Sequence, residues 1–266
     1  MHIGRLHRWE GNQAAPKLIC LHGFLGSGAD FEIIADHFPN HPTLIAPDLP
    51  DYSHKTAGAY SWEACLNALD KLVIKESKEA ACVLVAYSMG GCIALQYAVA
   101  EGSKLAGLVL IGATAGMASE EARRKRIQDD LKRAAILREQ SLDAFLDGWY
   151  QQGVIQSQEN IPEPYLSHMR GRRRSNQIDA LAEALTSLGT GSMHPAWDYL
   201  NKINIPTLLV TGANDSKFQD IACKMKQGIP NAQQVSIDDA GHACCFEQAQ
   251  AFAHLLKTFL TETIQA

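Results

Sequence analysis

The chain has 266 residues, of which 46% are hydrophobic and 20% charged, and its formal net charge is −5. This composition predicts a globular protein with a substantial core, and the acidic balance argues against nucleic-acid binding as a primary role. No uninterrupted apolar stretch approaches the roughly 20 residues that a membrane-spanning helix needs, so we expect no membrane partner.

The cysteines and histidines carry no metal or disulfide signature. The seven cysteines form an odd set without C-x-x-C spacing, which favours reduced thiols. Residues 1–13 contain no apolar signal region, and we therefore expect a cytoplasmic protein. The ten histidines show no H-E-x-x-H or comparable spacing. We expect neither a metal nor another cofactor, and the sequence leaves the oligomeric state open.

The first candidate site element is a glycine-containing loop after an apolar strand. Leu18–Leu21 is followed by His22, Gly23 and Phe24. Such a loop can direct a backbone N–H, here that of Phe24, at a developing oxyanion. A phosphate cradle is the alternative, but neither G-x-x-x-x-G-K-[ST] nor G-x-G-x-x-G spacing occurs here.

The second element reads as a nucleophile elbow. Val83–Cys92 has the sequence VLVAYSMGGC, in which an apolar run stops at Ser88 and a helical pattern follows. A tight strand-to-helix turn would expose the Ser88 hydroxyl, and the N–H of Met89 would be the second oxyanion donor. Ala86 stands where G-x-S-x-G has its first glycine. Taken alone, these small residues could equally serve helix–strand packing.

The order of patterns along the chain predicts an interrupted α/β fold. Strand and helix patterns alternate up to about Gly112 and resume near Ile205. We expect a mostly parallel central sheet with helices on both faces, formed by residues 1–117 and 201–266. Residues 118–200 would form a helical cap over the catalytic edge. The predicted cap contains four segments with helical patterns: Glu120–Arg138, Leu142–Tyr150, Arg170–Arg174 and Ile178–Leu188.

The predicted cap is rich in basic residues although the protein is acidic. Guanidinium groups bind carboxylates in a bidentate way, so these residues favour a small anionic substrate. The alternative is a set of solvated helix faces paired with nearby acids. The basic positions are Arg123, Arg124, Lys125, Arg126, Arg170 and Arg172–Arg174.

Two further residues complete a candidate triad. Asp215 follows the apolar strand Ile205–Gly212, and His242 lies in a turn between the strand Gln234–Ile237 and the last amphipathic helix, Gln248–Leu260. Each could separately be a cap or turn residue. The order serine, acid, histidine is the order of the nucleophile-elbow fold, so together they favour a catalytic triad.

Several segments of the chain resemble a known family, the 2-succinyl-6-hydroxy-2,4-cyclohexadiene-1-carboxylate synthases of menaquinone biosynthesis, which have the α/β-hydrolase fold. The likeness extends over nearly the whole chain. It is carried by His22–Asp30, Pro47–Pro50, Tyr87–Gly91, Trp149–Gln152, Ser187–Gly191, Asp215–Phe218 and Ala240–His242.

The resemblance implies a lyase that eliminates pyruvate from 2-succinyl-5-enolpyruvyl-6-hydroxy-3-cyclohexene-1-carboxylate. The triad would then act as a base: Ser88, activated by His242, would abstract a ring proton while Asp215 orients the imidazole. The positions at which the family places substrate-contacting residues are occupied by Tyr87, Arg126, Trp149 and Arg170.

One departure from the family pattern bears on the substrate. Cys92 stands where the pattern S-x-G-G-R has an arginine, and a thiol cannot replace a guanidinium. The alternative function is a serine carboxylesterase that acts on small or carrier-bound acyl esters through an acyl-enzyme. A third is a binding protein with a vestigial site, which the presence of all three triad members argues against.

Overall fold

The computed structural model describes residues 3–53 and 60–264, and one seven-stranded sheet runs through them. The strand order is β1-β3-β2-β4-β5-β6-β7, with β1 antiparallel to β3 and all other neighbours parallel. The strands are Leu6–Trp9 (β1), Lys17–Leu21 (β2), Leu44–Pro47 (β3), Cys82–Tyr87 (β4), Gly107–Ile111 (β5), Thr207–Gly212 (β6) and Ala232–Ile237 (β7).

The central strands are buried on both faces. Every residue of β2, β4, β5 and β6 is buried, because helices cover both sides of the sheet, as parallel sheets require. Along β4, Val83 and Val85 pack into one hydrophobic cluster, while Leu84 and Ala86 pack into the other. This alternation follows from the two-residue period of a strand.

The helices occupy both faces of the sheet and the segment between β5 and β6. On one face α1 packs against α11, and on the other α2 packs against α3. The helices are Glu32–His37 (α1), Trp62–Glu76 (α2), Met89–Glu101 (α3), Glu120–Glu139 (α4), Leu142–Tyr150 (α5), Gly153–Gln156 (α6), Tyr165–Arg174 (α7), Ile178–Leu188 (α8), Ser216–Gly228 (α9), Cys244–Glu247 (α10) and Ala249–Phe259 (α11).

Residues 118–200, the predicted cap, contain α4–α8 and no strand. Helix α4 begins after Ser119, whose side chain accepts a hydrogen bond from the N–H of Ala122, and its first turn carries two glutamates. Both features stabilise a helix N-terminus. A 3₁₀ helix, Trp197–Lys202, spans residue 200, so the boundary of the cap at that residue stays a prediction.

The parallel strands place the candidate residues at one edge of the sheet. Ser88 follows β4, Asp215 lies three residues after β6, and His242 comes five residues after β7. Because the carboxyl ends of parallel strands meet along this edge, residues far apart in sequence come together there. Within residues 3–53 and 60–264, no helix is long and apolar enough to cross a membrane.

Candidate active site

Ser88 occupies a strained turn between β4 and α3. Its backbone has φ 53° and ψ −114°, a conformation that non-glycine residues rarely adopt and that projects the side chain out of the turn. Gly90 allows this turn to approach its neighbour closely: a Cβ added there would lie 2.5 Å from the carbonyl oxygen of His22. A larger residue at position 90 would therefore push α3 away from the loop after β2.

Ser88, His242 and Asp215 form a continuous hydrogen-bonded chain. Nε2 of His242 lies 3.1 Å from Oγ of Ser88, and Nδ1 lies 2.8 Å from Oδ2 of Asp215. An ionised carboxylate only accepts hydrogen bonds, so Nδ1 carries the proton and Nε2 presents its lone pair to the serine. The imidazole is thereby oriented to take the proton of the Ser88 hydroxyl.

The imidazole of His242 is closely surrounded. Its ring centroid lies 4.4 Å from that of Phe218 and 5.4 Å from that of Tyr87. Gly112 has φ +55°, and a Cβ there would lie 2.7 Å from Cε1 of His242. Glycine at position 112 thus permits both the left-handed turn after β5 and the approach of the imidazole.

A buried carboxylate that the sequence interpretation missed holds the loop around His242. Oε2 of Glu247 accepts a hydrogen bond from the N–H of Gly241 at 2.7 Å, and Oε1 accepts one from the N–H of Ala243 at 3.0 Å. The hydroxyl of Ser157, between α6 and α7, also donates to Oε1, at 2.8 Å. Burial raises the pKa of the Glu247 carboxyl. In the sequence, the available signal for this role was a single acidic residue, Glu247, directly after the apolar run Ala243–Phe246.

The loop after β2 is fixed next to the elbow. Nε2 of His22 accepts a hydrogen bond from the N–H of Leu49 at 3.0 Å, while the side-chain amide of Asn176 donates to the carbonyl of Leu25 at 3.0 Å. Phe24 and Met89 both line the cavity that contains Ser88. As the first residue of α3, Met89 has an N–H without an acceptor one helical turn earlier, so it is free for a ligand.

A cavity of about 260 Å³ lies between the sheet edge and the helices of residues 118–200. Seven of the nine predicted site residues line it, while Asp215 lies behind His242, to which it is hydrogen-bonded. The seven are Ser88, His242, Phe24, Met89, Tyr87, Arg126 and Trp149.

Arg170, the remaining predicted site residue, lies away from this cavity, and its role in substrate binding stays a prediction. Arg170 pairs with the exposed carboxylate of Glu159 and does not line the cavity. Arg173 lines it instead, is 6% exposed, and donates from Nη1 to Oε1 of Gln158 at 2.9 Å. The reason is helical geometry: Leu166, Met169 and Arg173 lie along the buried face of α7, and Arg170 lies beside it.

Arg173 has an unusual electrostatic environment. Throughout residues 3–53 and 60–264, no carboxylate forms an ion pair with it, and its buried Nε has no hydrogen-bond partner. Its guanidinium carbon lies 5.7 Å from the ring centroid of Tyr150. A buried guanidinium without a counter-ion is costly unless an anion binds it, so Arg173 marks a place where the cavity can receive a negative group.

The cavity has a second basic wall on α4. Nε of Arg126 lies 2.9 Å and 2.8 Å from the two carboxylate oxygens of Asp130, and Nη1 of Arg133 lies 3.1 Å from one of them. Both arginines line the cavity. The sequence interpretation missed Arg133, although the spacing 126, 130, 133 places these three residues on one helix face.

Cys92 also lines the cavity, and it is buried. Burial raises the pKa of its thiol to about 11, so the side chain is neutral near pH 7 and contributes no charge to a ligand. In the described part of the chain, no group of three or more histidine, cysteine, aspartate or glutamate side chains is placed to hold a metal ion.

Comparison with known proteins assigns the family. The family model described as alpha/beta hydrolase fold matches residues 16–249. A Pectobacterium atrosepticum protein named 2-succinyl-6-hydroxy-2,4-cyclohexadiene-1-carboxylate synthase is 31% identical over 252 residues, which are 94% of this chain and 96% of that protein. A Serratia proteamaculans protein with the same name is 29% identical over 252 residues, 94% of this chain and 95% of that protein.

Solved structures agree with this assignment. MenH from S. aureus superposes with a TM-score of 0.89 and 29% identity, covering 97% of this chain and 98% of that one. A thermophilic esterase from Thermogutta terrifontis has a TM-score of 0.79 at 21% identity, covering 98% and 93%, and this likeness shows the fold alone. The chain belongs to the α/β-hydrolase fold family and, within it, to the family of 2-succinyl-6-hydroxy-2,4-cyclohexadiene-1-carboxylate synthases.

Proposed function

We propose that the protein is a carbon–oxygen lyase that eliminates pyruvate from 2-succinyl-5-enolpyruvyl-6-hydroxy-3-cyclohexene-1-carboxylate and forms 2-succinyl-6-hydroxy-2,4-cyclohexadiene-1-carboxylate. One observation carries the proposal: the chain Ser88–His242–Asp215 opens into a cavity whose walls present guanidinium groups. A base beside several cationic groups suits a substrate that bears three carboxylates and must lose a ring proton.

Substrate and product differ by a defined set of bonds. The proton on ring carbon 2, which lies next to the succinyl ketone, is removed. The carbon 3–carbon 4 double bond moves to carbons 2 and 3, a new double bond forms between carbons 4 and 5, and the carbon 5–oxygen bond breaks. The leaving group is the enolate of pyruvate, which gains a proton on carbon. Electrons balance without a redox partner, so we propose no cofactor.

The triad supplies the base in this proposal. Nε2 of His242 takes the hydroxyl proton of Ser88, 3.1 Å away, and the serine oxygen removes the ring proton. Asp215 holds the Nδ1 proton and stabilises the imidazolium as it forms. The imidazolium is then the acid that returns a proton to the departing enolate.

The oxyanion donors act on the ketone. Removing the proton on carbon 2 places negative charge on the succinyl ketone oxygen, as in any enolate. Phe24 and Met89 line the cavity with Ser88, and in this proposal their backbone N–H groups receive the ketone oxygen. Preorganised backbone donors are effective here because they need no rearrangement as the charge develops.

Side chains of the two basic walls would hold the carboxylates. Arg126 on α4 and Arg173 on α7 lie in different walls of the cavity, so they would bind different carboxylates of one substrate. Trp149 packs 5.2 Å from the ring of Phe24 and would cover the cyclohexene ring. The hydroxyl of Tyr87 accepts a hydrogen bond from Gln158 at 3.3 Å. Gln158 also accepts the hydrogen bond that Arg173 donates.

We place this step in the cytoplasm. In the described residues all seven cysteines are free, and six of them are buried, which supports a reducing compartment. A small anionic substrate is the partner that this proposal requires.

The deciding experiment measures pyruvate release from the enzymatically generated substrate against a control without protein. We expect acceleration by the wild-type protein, and a loss of at least about 10³-fold in kcat for Ser88→Ala, because triad members act as a unit. A folded Ser88→Ala variant with wild-type rates would contradict the mechanism. Absent pyruvate release together with a burst of p-nitrophenyl ester hydrolysis would assign the triad to ester chemistry instead.

A further inference from the structure

Helix α4 presents two arginines to the cavity around one buried carboxylate. Asp130 has a side chain that is 3% exposed, and both Arg126 and Arg133 pair with it. Gly189, the residue after α8, packs against this carboxylate so closely that a Cβ added there would overlap Oδ2 of Asp130. Asp130 therefore holds two guanidinium groups at set positions on the cavity wall.

The charges of this wall are not balanced within the protein. Two guanidinium groups share a single carboxylate, which leaves one positive charge in excess. In residues 3–53 and 60–264, the Nη atoms of Arg126 make no hydrogen bond to protein, and Arg133 uses only Nη1. Several N–H donors of the pair are thus left for a ligand.

The other charges that line the cavity do not compensate this excess. Asp30 is the acidic residue among the lining residues, and it is already paired with Arg172 at 2.8 Å. Arg173 and Lys217 add further positive charge. The neutral Cys92 adds none. A ligand that neutralises the α4 wall must therefore bring its own negative group.

We propose that Arg133 is a substrate-binding residue, which together with Arg126 forms a receptor for one carboxylate of the substrate, with Asp130 as the residue that positions both. This inference rests on the proposed function for the identity of the substrate. Two adjacent guanidinium forks can donate to both oxygens of one carboxylate, which gives affinity as well as orientation. Arg133 is thus a determinant of specificity that adds to the residues named above.

The kinetic test compares Arg133→Gln with a matched control on the same helix. Arg138 pairs with Asp179 and does not line the cavity, so Arg138→Gln removes an equal charge at a distance. We expect Arg133→Gln to raise KM for pyruvate release about tenfold or more while kcat stays within about twofold. Arg133→Lys should give an intermediate KM because it keeps the charge but loses the fork.

A binding measurement separates this inference from the proposed function. The probes are 2-succinylbenzoate, a stable aromatic dicarboxylate, and 4-oxo-4-phenylbutanoate, which carries only the succinyl carboxylate. Calorimetry gives Kd for both with the wild type, Arg133→Gln and Arg138→Gln. Weaker binding of both probes by Arg133→Gln assigns Arg133 to the succinyl carboxylate, and weaker binding of the dicarboxylate alone assigns it to the ring carboxylate.

Each outcome decides the inference. If the wild type releases pyruvate, a KM of Arg133→Gln within about twofold of wild type, or an equal increase in Arg138→Gln, overturns it. If the wild type releases no pyruvate, the proposed function fails and Kd decides: unchanged binding in Arg133→Gln, or no binding of either probe by the wild type, overturns the receptor. Thermal unfolding of each variant shows that the fold is retained.

Discussion

Removing a side chain from the cavity can change substrate binding and stability to different extents, and Arg173 illustrates this difference. Because its buried guanidinium has no carboxylate partner in the described residues, a bound substrate would be its counter-ion. We expect Arg173→Gln to raise KM for pyruvate release about tenfold to a hundredfold while stability falls little, since removing an unpaired buried charge also removes a desolvation cost.

The matched control for this prediction is Arg174→Gln. Arg174 neighbours Arg173 on α7, pairs with the exposed Asp143, and does not line the cavity. Steady-state kinetics of pyruvate release and urea unfolding should distinguish the two variants. Equal KM values for both would show that Arg173 has no contact with the substrate.

The triad could be predicted from the sequence, whereas the arginine of α7 that lines the cavity could not. The motifs singled out Ser88, Asp215 and His242, and the structure brings these three into hydrogen-bonded contact. Which arginine of α7 lines the cavity depends on which face of that helix is buried. That face is set by packing against distant elements, so the basic run alone could not decide it.

At the scale of elements, local patterns located helices and strands well. The predicted helices Leu142–Tyr150 and Ile178–Leu188 match the observed bounds, because their apolar residues follow the helical period. The strand predicted from Ile205 begins at Thr207 instead. Pro206 has no N–H to donate, so it precedes the ladder.

The role of Glu247 could not be predicted from local pattern. A hydrogen bond joins Ser157, within residues 118–200, to Glu247, next to the loop that contains His242, and the two residues are 90 positions apart in sequence. Nothing in the apolar run Ala243–Phe246 indicates which donors the carboxylate will meet. Such contacts depend on where the chain returns after the insertion, and this is a property of the tertiary fold.

The short helix α10 and its loop yield a prediction for Glu247→Gln. Glutamine keeps one carbonyl acceptor but cannot accept from Gly241, Ala243 and Ser157 as a carboxylate does. We expect kcat for pyruvate release to fall about tenfold with KM within about twofold, because the base is displaced while the carboxylate-binding walls are untouched. Glu262→Gln, at the exposed C-terminal end of the chain, is the control, and an unchanged kcat in Glu247→Gln would refute this role.

At the scale of the whole molecule, the same carboxylate makes stability depend on pH. Burial raises the pKa of Glu247 above its ordinary value of 4.5. Below that value the carboxyl is neutral in both the folded and unfolded states. As the pH rises towards and through the folded-state pKa, the unfolded chain releases its proton first, so this group's contribution to the free energy of unfolding declines.

Urea denaturation at intervals from pH 4 to pH 8 would measure this effect. The quantity to follow is the free energy of unfolding of the wild type minus that of Glu247→Gln, which cancels other titrating groups. We expect this difference to decrease as the pH rises and then to level off. A difference that increased with pH would mean that hydrogen bonds to the carboxylate outweigh its burial.

The hydrogen bond from Ser157 to Glu247 joins the segment between α6 and α7 to the carboxylate that holds the loop around His242. If that segment moved outward, this hydrogen bond would break while Oε1 kept the N–H of Ala243 as a donor, and the loss of one such hydrogen bond costs about 1 kcal/mol. This hydrogen bond favours the arrangement seen in the structure by that amount, without any bound ligand. Outward movement of this segment and loosening of the support of His242 are therefore coupled, and the imidazole is best aligned while the segment is in place.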